Sequence, residues 1–390
     1  MKNRLPSARL WKFAPLLLAV LLCATSYALE SSYLMYVGTY TDHYSKGIYA
    51  YRFDPATGAS NAIGLVAATD NPSFLAVAPD NRFLYSVNEL DKFEGNSTGA
   101  VSVFAIDRET GKLKLLQQVS SLGGGPAHLS VDKTGRYLLV ANYDGGSVAV
   151  FPIEPDGRLG QHTAFMQHVG SSVNQKRQAG PHAHSILVSN DNRFAVSADL
   201  GLDQVLVYRF DAQKGSLAAN DPKFATVDPG SGPRHLTFAP SGEFLYVVNE
   251  MASSVTVFAY NASQGRLRNK QTVSTLPPAF HGHDTAAEIV VDANGRFLYV
   301  SSRGAHSIAV FAIKPGSGTL SLVEIVPSGG KTPRNFAIDP TGKWLFAANQ
   351  DSNNIDLFHI DPGTGRLTQT SQALQLTSPV CIVFVPGGTR

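Results

Sequence analysis

The sequence predicts an all-β protein, a seven-bladed β-propeller of four-stranded antiparallel blades whose ring is closed by a C-terminal strand. Three observations predict it. An aromatic-anchored phrase recurs about every fifty residues, each repeat reads as four short strands, and the two chain ends supply complementary parts of one repeat.

The recurring phrase is an Asp- or Gly-containing turn, usually a basic residue, an aromatic, and then an alternating apolar strand. It reads Asn81-Arg82-Phe83-Leu84-Tyr85, Gly135-Arg136-Tyr137-Leu138-Leu139 and Asn192-Arg193-Phe194. It returns as Gly242-Glu243-Phe244-Leu245-Tyr246, Gly295-Arg296-Phe297-Leu298-Tyr299 and Gly342-Lys343-Trp344-Leu345-Phe346. The six aromatics are 54, 57, 50, 53 and 47 residues apart, and Tyr33, 50 before Phe83, reads as a seventh copy. No unit shows a helical apolar stripe, which excludes a helical solenoid and a βαβ array. In the unit around Tyr246 the strands read as 236–239, 244–248 and 255–260, and Gly265-Arg266-Leu267 turns the chain into a fourth. The unit at Tyr33 lacks a first strand. The orphan Pro379-Val380-Cys381-Ile382-Val383-Phe384-Val385 resembles the first strands that open at Pro72, Pro126, Pro233 and Pro333, so it is expected to complete that blade and remove a free edge.

Composition agrees. Of 390 residues, 43% are hydrophobic and only 16% charged, with 35 Gly and 22 Pro for turns, which excludes a disordered chain. Lys and Arg number 32 against 30 Asp and Glu, so no global field favours nucleic acid. Lys2, Arg4, Arg9 and Lys12 precede an apolar run from Phe13 to Leu22, and Ser26-Tyr27-Ala28 supplies small residues where a signal peptidase reads. Residues 1–28 are therefore expected to be a cleaved export signal and 29–390 a single periplasmic or secreted propeller, without stable membrane insertion. Leu22 is too bulky for a good lipidation motif at Cys23, so lipid anchoring there is the minor alternative to cleavage after Ala28. Cleavage leaves 28 basic against 30 acidic residues and one cysteine, Cys381, so no intramolecular disulfide is available. A closed ring requires no partner subunit, and a monomer is expected.

The repeat also locates a site. First strands of a propeller line the channel, so their opening residues ring one mouth, and the antiparallel second strands end there. The openings read Ser73-Phe74, Ala127-His128, His184-Ser185 with His182 upstream, Arg234-His235, Ala287-Glu288 and Arg334-Asn335. The second-strand ends read Asn88-Glu89, Asn142-Tyr143, Asp199-Leu200, Asn249-Glu250, Ser302-Arg303 and Asn349-Gln350. The repeated Asn suits a turn-bonding role. His184, Arg234, Glu250 and Arg303, from three consecutive blades, instead suit a small polar ligand. His182, His235, Asn249, Glu288, Arg334 and Asn335 are placed around them as substrate contacts.

Gly232-Pro233-Arg234-His235-Leu236 with Val248-Asn249-Glu250 and Ser253-Ser254-Val255 resembles the seven-bladed propeller lactonases, the family of propeller-type 6-phosphogluconolactonases and fungal carboxymuconate cyclases. Glu288, Leu298-Tyr299-Val300-Ser301-Ser302-Arg303 and Pro333-Arg334-Asn335-Phe336 continue the resemblance, which spans residues 33–385. It implies hydrolysis of a small acidic or sugar lactone without a cofactor, by an active-site His, two Arg and a Glu that fall on His184, Arg234, Arg303 and Glu250. The longer Pro181-His182-Ala183-His184 segment leaves two candidates for the histidine, and an export signal is foreign to a cytoplasmic sugar-phosphate enzyme. Such chemistry needs permanent cations for the developing oxyanion and a base for water, here His184 or Glu250.

Other signals fail. His182-Ala183-His184 and His281-Gly282-His283-Asp284 have metal-compatible spacing but no third ligand that the sequence can place, and no metal is expected. Gly329-Gly330-Lys331-Thr332 lacks the first glycine of a phosphate loop, no Gly-x-Ser-x-Gly is present, and Cys381 sits in an apolar strand as a packing residue. Two rival functions fit the same rim: a non-catalytic periplasmic binding or scaffold module, and a muconate-type cycloisomerase. Convergence of the charged set on one point favours catalysis over the first.

Overall fold

The computed structural model describes residues 1–2, 32–41 and 44–388; apart from Met1 and Lys2, the expected export signal lies outside the described residues. Seven four-stranded antiparallel sheets follow one another in the chain. Blade 1 comprises 33–68 and the C-terminal strand, blade 2 75–120, blade 3 126–167, blade 4 183–226, blade 5 233–274, blade 6 286–327 and blade 7 333–375. In blade 5 the order from the axis outward is Pro233–Phe238, Phe244–Asn249, Ser254–Asn261 and Arg266–Ser274. The first strands of successive blades touch around a complete ring. Pro379–Pro386 serves as the first strand of blade 1, pairing with Tyr33–Thr39 from Pro386 opposite Tyr33 to Cys381 opposite Gly38. Cys381 is buried there, and its Sγ accepts a hydrogen bond from the Leu75 N–H.

Burial falls outward within a blade. Every residue of Phe244–Asn249 is buried, whereas Arg266–Ser274 keeps only Leu267 so. The apolar mass lies between blades: Phe244, Tyr246 and Val248 of blade 5 pack with Leu298, Val300 and Phe311 of blade 6. Burying one such aromatic contributes about 1.5–3 kcal/mol.

The sequence phrase is a device that locks adjacent blades. The anchor Phe244 packs on Gly318, in the outer turn of blade 6, where a Cβ would stand 2.4 Å from the ring and φ is +69°. Two residues on, the Tyr246 hydroxyl donates to the Gly318 carbonyl at 3.0 Å. Phe83 and Tyr85 treat Gly157 of the next blade in the same way, at 2.3 and 3.0 Å. The preceding Arg82 lies over the Phe83 ring and donates to the Pro155 carbonyl, also in the next blade. This pattern corrects the seventh copy by one residue. Gly111 of blade 2 packs against Leu34, and it is Tyr36 that donates to the Gly111 carbonyl, so the anchor position of blade 1 is Leu34 rather than Tyr33.

Candidate active site

Register brings the two expected layers of residues to one mouth. Pro233 lies opposite Asn249, Ala286 opposite Ser302, and Pro333 opposite Asn349. Each of these first strands shifts register at its opening, as do those of blades 3 and 4. Such bulges re-aim side chains. At Pro233–Phe238 the bulge gives the channel two consecutive residues, Arg234 and His235, where a regular strand would alternate.

Glu250 follows the second strand of blade 5 and is 4% exposed. Its Oε2 stands 2.9 Å from a terminal nitrogen of Arg303 and 3.2 Å from Nε of Arg234. The Arg234 contact is an ion pair without hydrogen-bond alignment, since that Nε–H has no hydrogen-bond partner. Arg234 instead donates from its guanidinium to the Ala287 carbonyl at 2.8 Å. Arg303 donates to the carbonyls of Thr285 and Ala286. The far oxygen, Oε1, accepts from Arg177 at 2.7 Å.

Arg177 was not singled out by the sequence. It lies on the connection between blades 3 and 4, which reaches across to blade 5. That connection is anchored by Gln178, wholly buried and donating to the Leu200 carbonyl, and by Ser172 on the Asp203 carboxylate. The only signal for it was the extra length of the unit around Phe194. Arg177 also donates to the Tyr143 hydroxyl at 3.1 Å.

The two candidate histidines occupy different depths. His182 is part-buried, stacks on Tyr143 with ring centroids 4.5 Å apart, and has its backbone N–H held by Asp199 at 2.8 Å. Asp199 is fixed in turn by buried His168 at 2.6 Å. His184 lies deeper, edge-on to Tyr143 at 5.3 Å and to His235 at 5.1 Å, with Nδ1 enclosed and unpartnered.

Below this tier His235 Nδ1 stands 3.1 Å from Glu288 Oε1, and Glu288 Oε2 accepts from the Asn335 amide at 2.5 Å. These three polar groups are thus spent largely on one another, around a cavity of about 10 Å³ that also touches Ser73, Arg234 and Arg334, room for about one water. Arg334 approaches the mouth over the Tyr40 ring at 5.1 Å and makes no ion pair among the described residues. Asn249 corrects an expectation. It is wholly buried, and its amide donates to Ser254 and Thr256 inside the blade. Consecutive strand residues face opposite sides, so Glu250 at the mouth turns Asn249 away from it.

The charges settle unevenly. Burial alone would raise Glu250, but Arg303, Arg234 and Arg177 overcome it and bring the carboxyl from 4.5 to about 2. Burial, with Arg303 and Arg334 nearby, lowers Arg234 from 12.5 to about 9, which leaves it a cation at neutral pH. Burial first, then Arg234, pushes His184 well below 6.5, so its imidazole is neutral at pH 7. A cavity of about 860 Å³ lies between blades 6 and 7 on the opposite face, against Asp292, Arg296 and Asp339. A similar groove of about 370 Å³ separates blades 2 and 3, which makes such grooves a product of the repeat.

A closed seven-bladed ring with this arginine–carboxylate cluster at one mouth defines a propeller with a built polar site. The chain matches the family model described as "Lactonase, 7-bladed beta-propeller" over residues 34–384, and it belongs to that family of lactonases. It is 36% identical to a 6-phosphogluconolactonase of Bacillus subtilis, covering 91% of this chain and 99% of that one. A 6-phosphogluconolactonase of Formosa agariphila is 34% identical over 77% of this chain and 85% of its own. Among solved structures, the periplasmic gluconolactonase PpgL of Pseudomonas aeruginosa is 40% identical with a TM-score of 0.86, covering 91% of this chain and 99% of that one. At family level the activity is lactonase-type hydrolysis.

Proposed function

We propose that the protein hydrolyses a six-carbon sugar-acid lactone, of the gluconolactone or 6-phosphogluconolactone kind, after export to the periplasm. The observation that carries the reading is the convergence of Arg177, Arg234 and Arg303 on Glu250, beside the neutral imidazole of His184. Convergence of this kind supports a reaction centre over a flat docking face. The names of the Bacillus, Formosa and Pseudomonas relatives support the substrate class, and the Pseudomonas protein supports the compartment.

Arg234 and Arg303 are assigned to the lactone carbonyl, whose oxygen becomes an anion as water adds. Glu250 is their counter-ion. Glu250 is committed to three guanidinium groups, whereas the neutral His184 imidazole makes no ion pair among the described residues, so His184 is assigned as the base. His184 takes a proton from water as the hydroxide bonds to the carbonyl carbon. The tetrahedral oxyanion collapses, the ring C–O bond breaks, and the leaving alkoxide recovers the proton from His184, giving the open hydroxy acid. His182 and Arg334 are placed to contact the rest of the sugar, with His235, Glu288 and Asn335 supporting them from below.

The test is ring opening of δ-gluconolactone, its 6-phosphate and a muconolactone by the purified protein, counting only the rate above buffer. The proposal expects the largest excess on a gluconolactone. Excess on the muconolactone alone would favour the cycloisomerase, and a folded protein inert on all three would favour a binding module.

A further inference from the structure

Tyr143 follows the second strand of blade 3, and its N–H donates to the Gly125 carbonyl at 2.8 Å. The site closes around its side chain. The ring stacks on His182 at 4.5 Å, whose Nδ1 stands 3.0 Å from the Tyr143 carbonyl, and His184 meets it edge-on at 5.3 Å. The hydroxyl oxygen accepts from Arg177 at 3.1 Å, and the same Arg177 nitrogen donates to Glu250 Oε1 at 2.7 Å. A guanidinium only donates, so this bond uses a lone pair of the phenol and leaves its proton unspent. Other tyrosines spend theirs. Tyr36, Tyr85, Tyr246 and Tyr299 donate to glycine carbonyls of the next blade, and Tyr40, also at the mouth, donates to both oxygens of Glu89 at 3.0 and 2.9 Å. The Tyr143 proton meets no acceptor among the described residues. Burial holds this phenol above its ordinary value, with Arg177 pulling the other way, so it is a neutral donor at pH 7.

We propose that Tyr143 is a catalytic residue whose hydroxyl donates a hydrogen bond to the ring oxygen of the lactone as that oxygen leaves. This rests on lactone hydrolysis at the arginine–carboxylate cluster. Arg234 and Arg303 stand on Oε2 of Glu250 and are assigned to the carbonyl oxygen, whereas Arg177 and the phenol stand on the Oε1 side. The two oxygens bonded to the lactone carbon thus meet different donors. As the ring C–O bond breaks, its electron pair stays on the ring oxygen, and the hydrogen bond strengthens as charge grows there. Tyr143 keeps its proton throughout. The proton that completes the new hydroxyl comes from His184, which lies against the same ring. Arg177 polarises the phenol and so makes it a stronger donor. The charged and titratable groups around the phenol are Arg177, His182, His184 of blade 4, Glu250 of blade 5 and Asp144, next along the chain.

Tyr143→Phe keeps both ring contacts and removes only the hydroxyl. On the best gluconolactone, kcat is expected to fall about 100-fold with KM changed less than about twofold, because the bond is made chiefly in the transition state. Arg177→Gln, measured alongside, separates this from a scaffold role, since a hydroxyl that only held Arg177 would cost no more than the loss of Arg177 itself. A fall in kcat for Tyr143→Phe no larger than for Arg177→Gln overturns the proposal and leaves lactone hydrolysis standing. A parent protein inert on every lactone removes the hydrolysis reading and the proposal with it. Should Tyr143→Phe fail to fold, replacement of Tyr143 by 3,5-difluorotyrosine decides. It keeps the hydroxyl and makes a more acidic phenol, so the alkaline loss of kcat is expected at lower pH than in the parent. An unmoved alkaline limb overturns the proposal.

Discussion

Glu250→Gln removes the charge on which three arginines converge, and its effect can be sized. The native carboxyl titrates near 2 instead of 4.5, and each pKa unit is about 1.4 kcal/mol, so the ionised group contributes about 3 kcal/mol at neutral pH. Because the folded value is the depressed one, that stability is present above about pH 5 and is lost as pH falls toward 2. Near pH 3 roughly half remains. With about 2.1 cal/mol/K of unfolding entropy per residue over roughly 360 folded residues, about 3 kcal/mol corresponds to about 4 °C in Tm. The variant also leaves buried guanidinium groups facing one another, so the loss at pH 7 is expected to be at least this large. Thermal unfolding of parent and variant from pH 7 to pH 3, followed by circular dichroism, reads it directly. The gap should narrow by about half across that range. An unchanged Tm at pH 7, or a gap that stays constant down to pH 3, would refute the cluster's electrostatics.

Two further outcomes follow from the same geometry. Arg177 is 41% exposed and Glu250 keeps two other cations, so Arg177→Gln should cost less than about 1 kcal/mol in stability. Its loss from the rim should nonetheless lower kcat/KM about tenfold on the preferred lactone, and a Tm drop above about 5 °C would make it a scaffold residue instead. Gly318→Ala places a methyl 2.4 Å from the Phe244 ring at φ +69°, for a combined cost of about 2–4 kcal/mol and a Tm lower by about 3–5 °C. Gly318 lies in an outer turn on the face remote from the site, so kcat of the folded variant should match the parent.

The propeller was legible because one local phrase performs the same contact in each blade. The aromatic, the basic residue before it and the glycine of the next outer turn are all fixed by blade-to-blade packing, and this writes a period into the chain. Where the phrase is degenerate, at Tyr33-Leu34, the period alone misplaced the anchor by one residue, and only the contact to Gly111 identifies Leu34. The clustering of the candidate residues was legible in part. Arg234, Glu250 and Arg303 sit at periodic positions, and the structure brings them within 3.2 Å of a common carboxylate oxygen or onto the carboxylate itself. Asn249 shares that periodicity but not the direction, because strand alternation turns it inward. Arg177 was out of reach, since it comes from a connection outside the repeat and meets Glu250 across 73 residues of sequence. Pairing of His235 with Glu288, from neighbouring blades, depends on the bulges at the strand openings, which leave no pattern in composition or spacing.

The central claim is that the arginine pair at this mouth stabilises the opening lactone, and Arg234→Ala tests it most directly. Removing one donor to a developing oxyanion costs about 10²–10³ in kcat, and Glu250 keeps Arg177 and Arg303, so the variant should remain folded. The measurement is kcat on the best gluconolactone substrate, above the buffer rate, for parent and variant of matching circular dichroism. A loss of about a hundredfold or more is expected. A variant within about threefold of the parent would contradict the assignment and move the chemistry away from this cluster.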